Sequence, residues 1–182
     1  ITSYNAPLNK PEEFEVYPNR DSLPFIEQYD FNPNWKIKQF VRGTLRLKGW
    51  AEAWEEIFKE IETLNGEAGE KRLTEMSEQF WQDNAYSENE PDRVILCVDF
   101  KAAQNQNVIW HKTYKMDAWG DTQGTAMARL VSHPVYLAVT AITDNEMDTG
   151  ISAAVSKPNL VDKWLKYINN LAQEFDIIDH LI

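Results

Sequence analysis

The chain separates into stretches that alternate every second residue and stretches that repeat every third or fourth. Phe14 to Tyr17 alternates briefly and is stopped by Pro18, which predicts a short strand. Lys36 to Leu47 alternates for longer and predicts the strongest early strand. Between them, Asp21 or Ser22 is placed to cap a short helix reaching about Tyr29, with Pro24 in its first turn. Asn32-Pro33-Asn34 reads as a turn, and residues 1 to 12, with Pro7 and Pro11, read as a surface lead-in.

Trp50, Trp54, Ile57, Ile61 and Leu64 keep helical spacing, and Asn65-Gly66 ends that helix. A second helix is expected over 67 to 82, followed by an acidic loop from Asp83 to Asp92. Val94, Leu96, Val98 and Phe100 alternate, as do Val108, Trp110, Tyr114 and Met116, so the two runs predict a hairpin turning at Gln104 to Asn107. Lys112 interrupts the apolar face of the second run, which requires exposure or an ion pair there. Asp121 or Thr122 is expected to cap a helix from about Gln123 to Ile142, kinked or broken by Pro134 near Ser132. A short strand is expected at Ile151 to Val155. Ser156 is then expected to cap a last helix with Pro158 in its first turn and a stripe of Val161, Trp164, Leu165, Ile168, Leu171 and Phe175. Helices and strands mix without strict βαβ alternation. The expected class is therefore α+β, a mixed or antiparallel sheet with helices packed on one face.

The 182 residues suit a single domain, and 43% hydrophobic content argues against disorder. Net charge is -11, which argues against nucleic acid or an anionic membrane as partner. Against that background the block Phe-Val-Arg-Gly-Thr-Leu-Arg-Leu-Lys-Gly-Trp at 40 to 50 stands out. Alternation puts Arg42, Thr44 and Arg46 on one strand face. Arg20, in Tyr-Pro-Asn-Arg-Asp-Ser at 17 to 22, can join them. Two readings follow. The arginines pair with the protein's own carboxylates, or they bind a ligand with several carboxylates, since a guanidinium fork suits each one.

Other chemistry is thin. Cys97 is the single cysteine, so no disulfide forms within the chain, and it reads as a core or sheet residue. His111, His133 and His180 lie far apart without metal-ligand spacing, so no metal site is expected from them. No Gly-x-Ser-x-Gly elbow, P-loop or G-x-G-x-x-G occurs, and Glu55-Glu56 reads as a solvated helix face. The longest uncharged run, Leu130 to Thr143, is too short to cross a bilayer.

Tyr17 to Phe25 resembles the Y-P-N-R-D-S-x-P-[YF] block of saccharopine dehydrogenases and saccharopine reductases. Val41 to Trp50 is similar to that family's R-G-T-L-R-x-x-G-[WF] block. Gly124 to Arg129 resembles its T-A-M-[AS]-[RK] segment, and Thr149-Gly150-Ile151 its closing P-G-[VL], while Gly66 to Pro91 matches poorly. The resemblance implies an α+β substrate-binding and dimerisation domain, cut from a longer chain with an N-terminal Rossmann domain. It implies a sheet whose open face pairs in a homodimer, a cytoplasmic location, and lysine metabolism.

The implied substrate is a small-molecule secondary-amine amino acid. NADP or NAD would be held by the Rossmann domain, with no cofactor and no metal in this fragment, which alone is expected to be inactive. On the matching positions, Arg20 would clamp a substrate carboxylate and Thr44 would donate a hydroxyl hydrogen bond. Arg42 and Arg46 would assist, Arg46 otherwise holding Asp21 or Asp99, and Asn19 with Asp21 would orient the loop. The alternatives are another carboxylated amine such as carboxynorspermidine, or a non-catalytic dimerisation or interaction module.

Overall fold

The structure, a computed structural model, describes every residue except Asp30 and Asn89. Asn89 falls in the acidic loop expected from Asp83 to Asp92 and so lies outside the described residues. Among the described residues, six strands form two three-stranded antiparallel sheets. The first has the order β1 (Thr2–Ala6), β2 (Glu12–Pro18), β3 (Gly43–Leu47). The second has the order β4 (Arg93–Gln104), β5 (Asn107–Trp119), β6 (Glu174–Asp179). The helices are α1 (Pro24–Gln28), α2 (Trp50–Thr63), α3 (Gly66–Asp83), α4 (Ala126–Thr143) and α5 (Pro158–Asn169). The α+β class is thus realised with two sheets in place of one.

Residues 1 to 12 are not a surface lead-in. β1 pairs with β2, and Ala6, Leu8 and Phe14 form a buried cluster against which Tyr4, Leu45, Ile95 and Cys97 pack. Short polar strands such as Thr-Ser-Tyr-Asn-Ala carry little hydrophobic period. Pairing with a neighbour, which periodicity does not report, makes this one a strand. The expected strand from Lys36 shrinks to Gly43–Leu47, because the Arg42 N–H donates to Ser22 Oγ rather than to a ladder. No strand forms at Ile151 to Val155. α5 ends at Asn169, so Phe175 belongs to β6, opposite Met116, rather than to a helical stripe. Lys157, not Ser156, occupies the N-cap of α5, with Pro158 following as expected.

α4 starts later than expected. Thr125 is its N-cap, its hydroxyl accepting from Ala128 N at 3.1 Å. Asp92 supplements it by accepting from Ala126 N and Met127 N at 2.6 and 2.9 Å. The helix then runs unbroken through Pro134. One missing N–H is tolerated inside a helix whose Leu137 and Ala141 are buried.

The two sheets meet through charge as well as through the apolar cluster. Arg93 on β4 donates to both carboxylate oxygens of Asp117 on β5, at 2.9 and 2.7 Å, and to Glu12 on β2 at 2.7 Å. Lys115, 5% exposed, pairs with Glu174 on β6 at 2.7 Å and donates to Asn9 Oδ1 at 3.1 Å. The Asn9 N–H in turn donates to both oxygens of Glu174 at 2.8 and 3.0 Å. Lys112, the interruption foreseen on β5, pairs with Asp179 at 3.3 Å.

Removing one partner from a buried ion pair leaves the other uncompensated. Lys115→Met is therefore expected to lower stability by roughly 3–5 kcal/mol, measured by urea unfolding. Adding Glu174→Gln is expected to recover part of that loss, because the amide oxygen still accepts from Asn9 N.

Candidate functional site

Direct cross-strand partners point to the same side of a sheet. Phe14 stands opposite Leu47, and Val16 opposite Leu45, on the face that contributes Phe14 and Leu45 to the core. Glu15 stands opposite Arg46, and Tyr17 opposite Thr44, on the other face. The alternation expected of the second block holds for Thr44 and Arg46, while Arg42 precedes the strand and lies over Phe25 instead. Its polar members leave the core because its apolar members occupy it.

The two sequence blocks are fastened to each other. Asn19 N donates to Arg42 O at 2.7 Å, and Arg42 N to Ser22 Oγ at 3.1 Å. Asp21 Oδ1 accepts from Leu23 N at 3.0 Å, the local turn-forming role expected of it. Gly43 is required at the crossing, since a Cβ there would lie 2.7 Å from Val16 Cγ1. Gly49, at φ +88°, turns the chain from β3 into α2. Glu15 seats that helix: its carboxylate accepts from Gly49 N and Ala51 N at 2.8 and 2.7 Å.

Each arginine has its own setting. Arg42 lies over the Phe25 ring at 3.7 Å. Phe25 begins an aromatic series with Tyr29, Phe31, Trp35 and Phe40 that folds the connection between α1 and β3. Arg46 lies 5.5 Å from the Tyr17 ring and 5.8 Å from Trp50, which stack on each other at 5.3 Å. It donates to Leu45 O at 2.9 Å and holds neither Asp21 nor Asp99. Arg20 is exposed and sits at φ 58°. A non-glycine residue in the left-handed region costs about 1–3 kcal/mol, and Asn105, Gln106 and Asn145 adopt it too, at turns. Thr44 is half-buried beside Arg46 on the strand.

None of Arg20, Arg42 and Arg46 forms an ion pair with a carboxylate among the described residues. Among the described residues these arginines are thus held by aromatic rings and backbone rather than by carboxylates. An open apolar hollow of about 450 Å³ lies elsewhere, lined by Ile61, Leu73, Met76, Phe80 and Trp81 of α2 and α3.

Burial pushes the Cys97 thiol up and away from nucleophilic use, as expected of a sheet residue packed against the core. The histidines depart from their expected isolation. His111 and His180 stack with ring centres 4.0 Å apart beside Asp99, a meeting made by strand pairing and invisible in linear spacing. His133 instead bonds Tyr167 at 2.9 Å. Among the described residues, no helix is long and apolar enough to cross a membrane.

Residues 2–174 match the saccharopine dehydrogenase C-terminal domain. The chain belongs to that family. No curated protein matches the chain. Among solved structures it is similar to apo histidine-tagged saccharopine dehydrogenase (L-Glu forming) from Saccharomyces cerevisiae, with a TM-score of 0.68 at 18% identity. That alignment covers 97% of this chain and 54% of the yeast protein, so the chain spans about half the length of the enzyme it matches. At that identity the likeness is one of fold, and it agrees with the two-sheet architecture.

The Glu15 seat for α2 gives the site a pH dependence. Hydrogen bonds from Ala51 and then Gly49 hold the Glu15 carboxyl below its ordinary value. A folded pKa below the unfolded one adds stability that is complete above the unfolded pKa, near 4.5. That stability is lost as pH falls through the lower, folded value. Glu15→Gln is expected to flatten this part of the acid limb in thermal melts run from pH 6 downward, and to loosen Trp50 as followed by tryptophan fluorescence.

Proposed function

We propose that the chain is the substrate-binding and dimerisation domain of a saccharopine dehydrogenase-like, NAD(P)-linked oxidoreductase acting on a secondary-amine amino acid of lysine metabolism. The observation that carries this reading is that the two sequence blocks bearing Arg20, Arg42 and Arg46 are fastened to each other by backbone bonds, the three arginines having no described carboxylate partner in a chain of net charge -11. Saccharopine carries three carboxylates, and guanidinium forks are the protein groups best matched to them. Arg20 is the strongest candidate, because Arg42 and Arg46 already lie on aromatic rings. Thr44 offers a hydroxyl on the same wall, and Asn19 holds the loop by its backbone N–H.

The chain's seven glycines form no G-x-G-x-x-G turn, so these residues do not fit a nicotinamide nucleotide. The reading assigns the cofactor to a companion Rossmann domain of a longer, cytoplasmic protein. This domain's part is to bind and orient the carboxylates, so that the amine carbon meets the hydride donor at near-contact distance.

In the full-length enzyme, Arg20→Ala is expected to raise KM for saccharopine by roughly one to two decades. That corresponds to about 1.5–3 kcal/mol for a charge-assisted contact. The KM for the nicotinamide is expected to change little. Arg20→Lys recovers only part, since an ammonium lacks the fork. Equal KM values for wild type and Arg20→Ala, in an enzyme that still turns over saccharopine, would remove Arg20 from the site. Turnover of carboxynorspermidine but not saccharopine would move the substrate class, and absence of any turnover would leave a dimerisation module.

Two apolar surfaces support assembly. Leu96, Phe100, Val108 and Trp110 on the hairpin and Ile177 on β6 are exposed, and Met127, Val131, Val135 and Val139 form an exposed stripe along α4. The reading gives these surfaces to a second copy and to the Rossmann domain. Light scattering of the purified chain is expected to return twice the protomer mass. Trp110→Glu is expected to return a monomer with unchanged far-ultraviolet circular dichroism.

A further inference from the structure

We propose that Asp99, His111 and His180 form a binding site for a divalent transition-metal ion of the zinc type. Asp99 comes from β4, His111 from β5, and His180 from the residue after β6. One ligand atom from each lies within 4.8 Å of the others. The His111 ring nitrogen Nε2 is already 3.0 Å from Asp99 Oδ2. Zinc bonds of about 2.0–2.1 Å in a tetrahedron place neighbouring ligand atoms roughly 3.3 Å apart. The two rings stack at an interplanar angle of 22°, so closing the site needs one imidazole to turn out of the stack until both Nε2 lone pairs converge.

Thr113 acts as a template. Its residue is 4% exposed, and its hydroxyl donates to Asp99 Oδ2 at 2.8 Å. The hydroxyl proton being spent there, His180 Nε2 donates to Thr113 Oγ1, also at 2.8 Å. Both imidazole Nε2 atoms are thus aimed at one carboxylate and one hydroxyl. An ion arriving at that point takes the two Nε2 lone pairs and Asp99, and the protons leave Nε2 with a shift of tautomer to Nδ1. The backbone bond from His180 N to His111 O at 3.0 Å keeps the two rings in register.

The donor set selects the ion. Two imidazoles and a carboxylate suit zinc, cobalt or nickel, while magnesium and calcium require oxygen-rich sites. Asp99 is exposed, so the approach is open, and its described partners are His111 and Thr113 rather than a lysine or arginine. Lys101 stands opposite His111 in the register and is exposed, so its ammonium can extend into solvent. A bound ion would staple the end of β6 to the β4–β5 hairpin. The site lies on the second sheet and the arginine wall on the first, so its fate is separate from that of the functional reading.

The test is calorimetric titration of tag-free, chelator-stripped protein with ZnCl2, with the visible d–d absorption of Co2+ as a second readout. One Zn2+ per chain, no heat from MgCl2, a tetrahedral Co2+ spectrum and a raised melting temperature are expected. His180→Ala, an exposed position near the chain end, is expected to weaken binding by about 100-fold or more, and Thr113→Val by about 10-fold, as loss of a supporting hydrogen bond does. His111→Gln provides a second ligand variant, with metal-free circular dichroism as the check on folding. Zinc binding unchanged in His180→Ala, or no saturable binding at one ion per chain, would falsify the assignment and leave the cluster as a hydrogen-bonded clasp.

Discussion

Arg93 occupies the position on which the two sheets depend. Its guanidinium reaches Asp117 within its own sheet and Glu12 on the other, and it lies 4.9 Å from the ring of Trp119. Those two carboxylates hold its charge well above the ordinary range for its loss, the bond to Asp117 contributing most. It therefore stays charged at any pH at which the protein is folded. Lys115, Glu174 and Asn9 form a second tie of the same kind between β5, β6 and the β1–β2 connection. A cluster as small as Ala6, Leu8 and Phe14 could slide on a flat sheet, because apolar contact is not directional. Forked hydrogen bonds fix the angle and register that burial alone leaves open.

That docking determines which side of the first sheet is left for chemistry. Phe14 and Leu45 face the junction, so Tyr17, Thr44 and Arg46 must face away. Glu15 belongs to the same outer set and spends its carboxylate on α2, which brings Trp50 against Tyr17 and under Arg46. The path from junction to site is thus short. The charged tie sets the core face, the core face sets the outer face, and one carboxylate on the outer face seats the helix that completes the wall.

Much of this was legible in the residues. The Arg93 to Met116 hairpin, α2 and α3 each carry a long, clean period, and they formed where the pattern placed them. The polar face of β3 followed from alternation alone. The losses share a cause. β1 and β6 are strands because of what they pair with: Thr2 to Ala6 has one apolar-in position of weight, and Phe175 fits a helical stripe as well as a strand. The approach of His111 to His180 is of the same kind, since 69 residues of chain separate two rings that strand pairing stacks. Local pattern reports local structure. It is silent on a contact whose cause is a partner far along the chain.

The arginines show how the two levels combine. An acidic chain has carboxylates enough to neutralise every guanidinium, and it does so at Arg93, Arg72 and Arg129. Around Ser22 it uses other partners. Arg42 and Arg46 are carried on aromatic faces, which stabilise a cation without a carboxylate. A carboxylate in that position would have competed with any anionic ligand at a cost comparable to the ligand's own contact. Ring faces avoid that competition. Stacking holds Arg42 and Arg46, and ion pairs hold Arg93, Arg72 and Arg129, so one acidic domain sets the same residue in two ways.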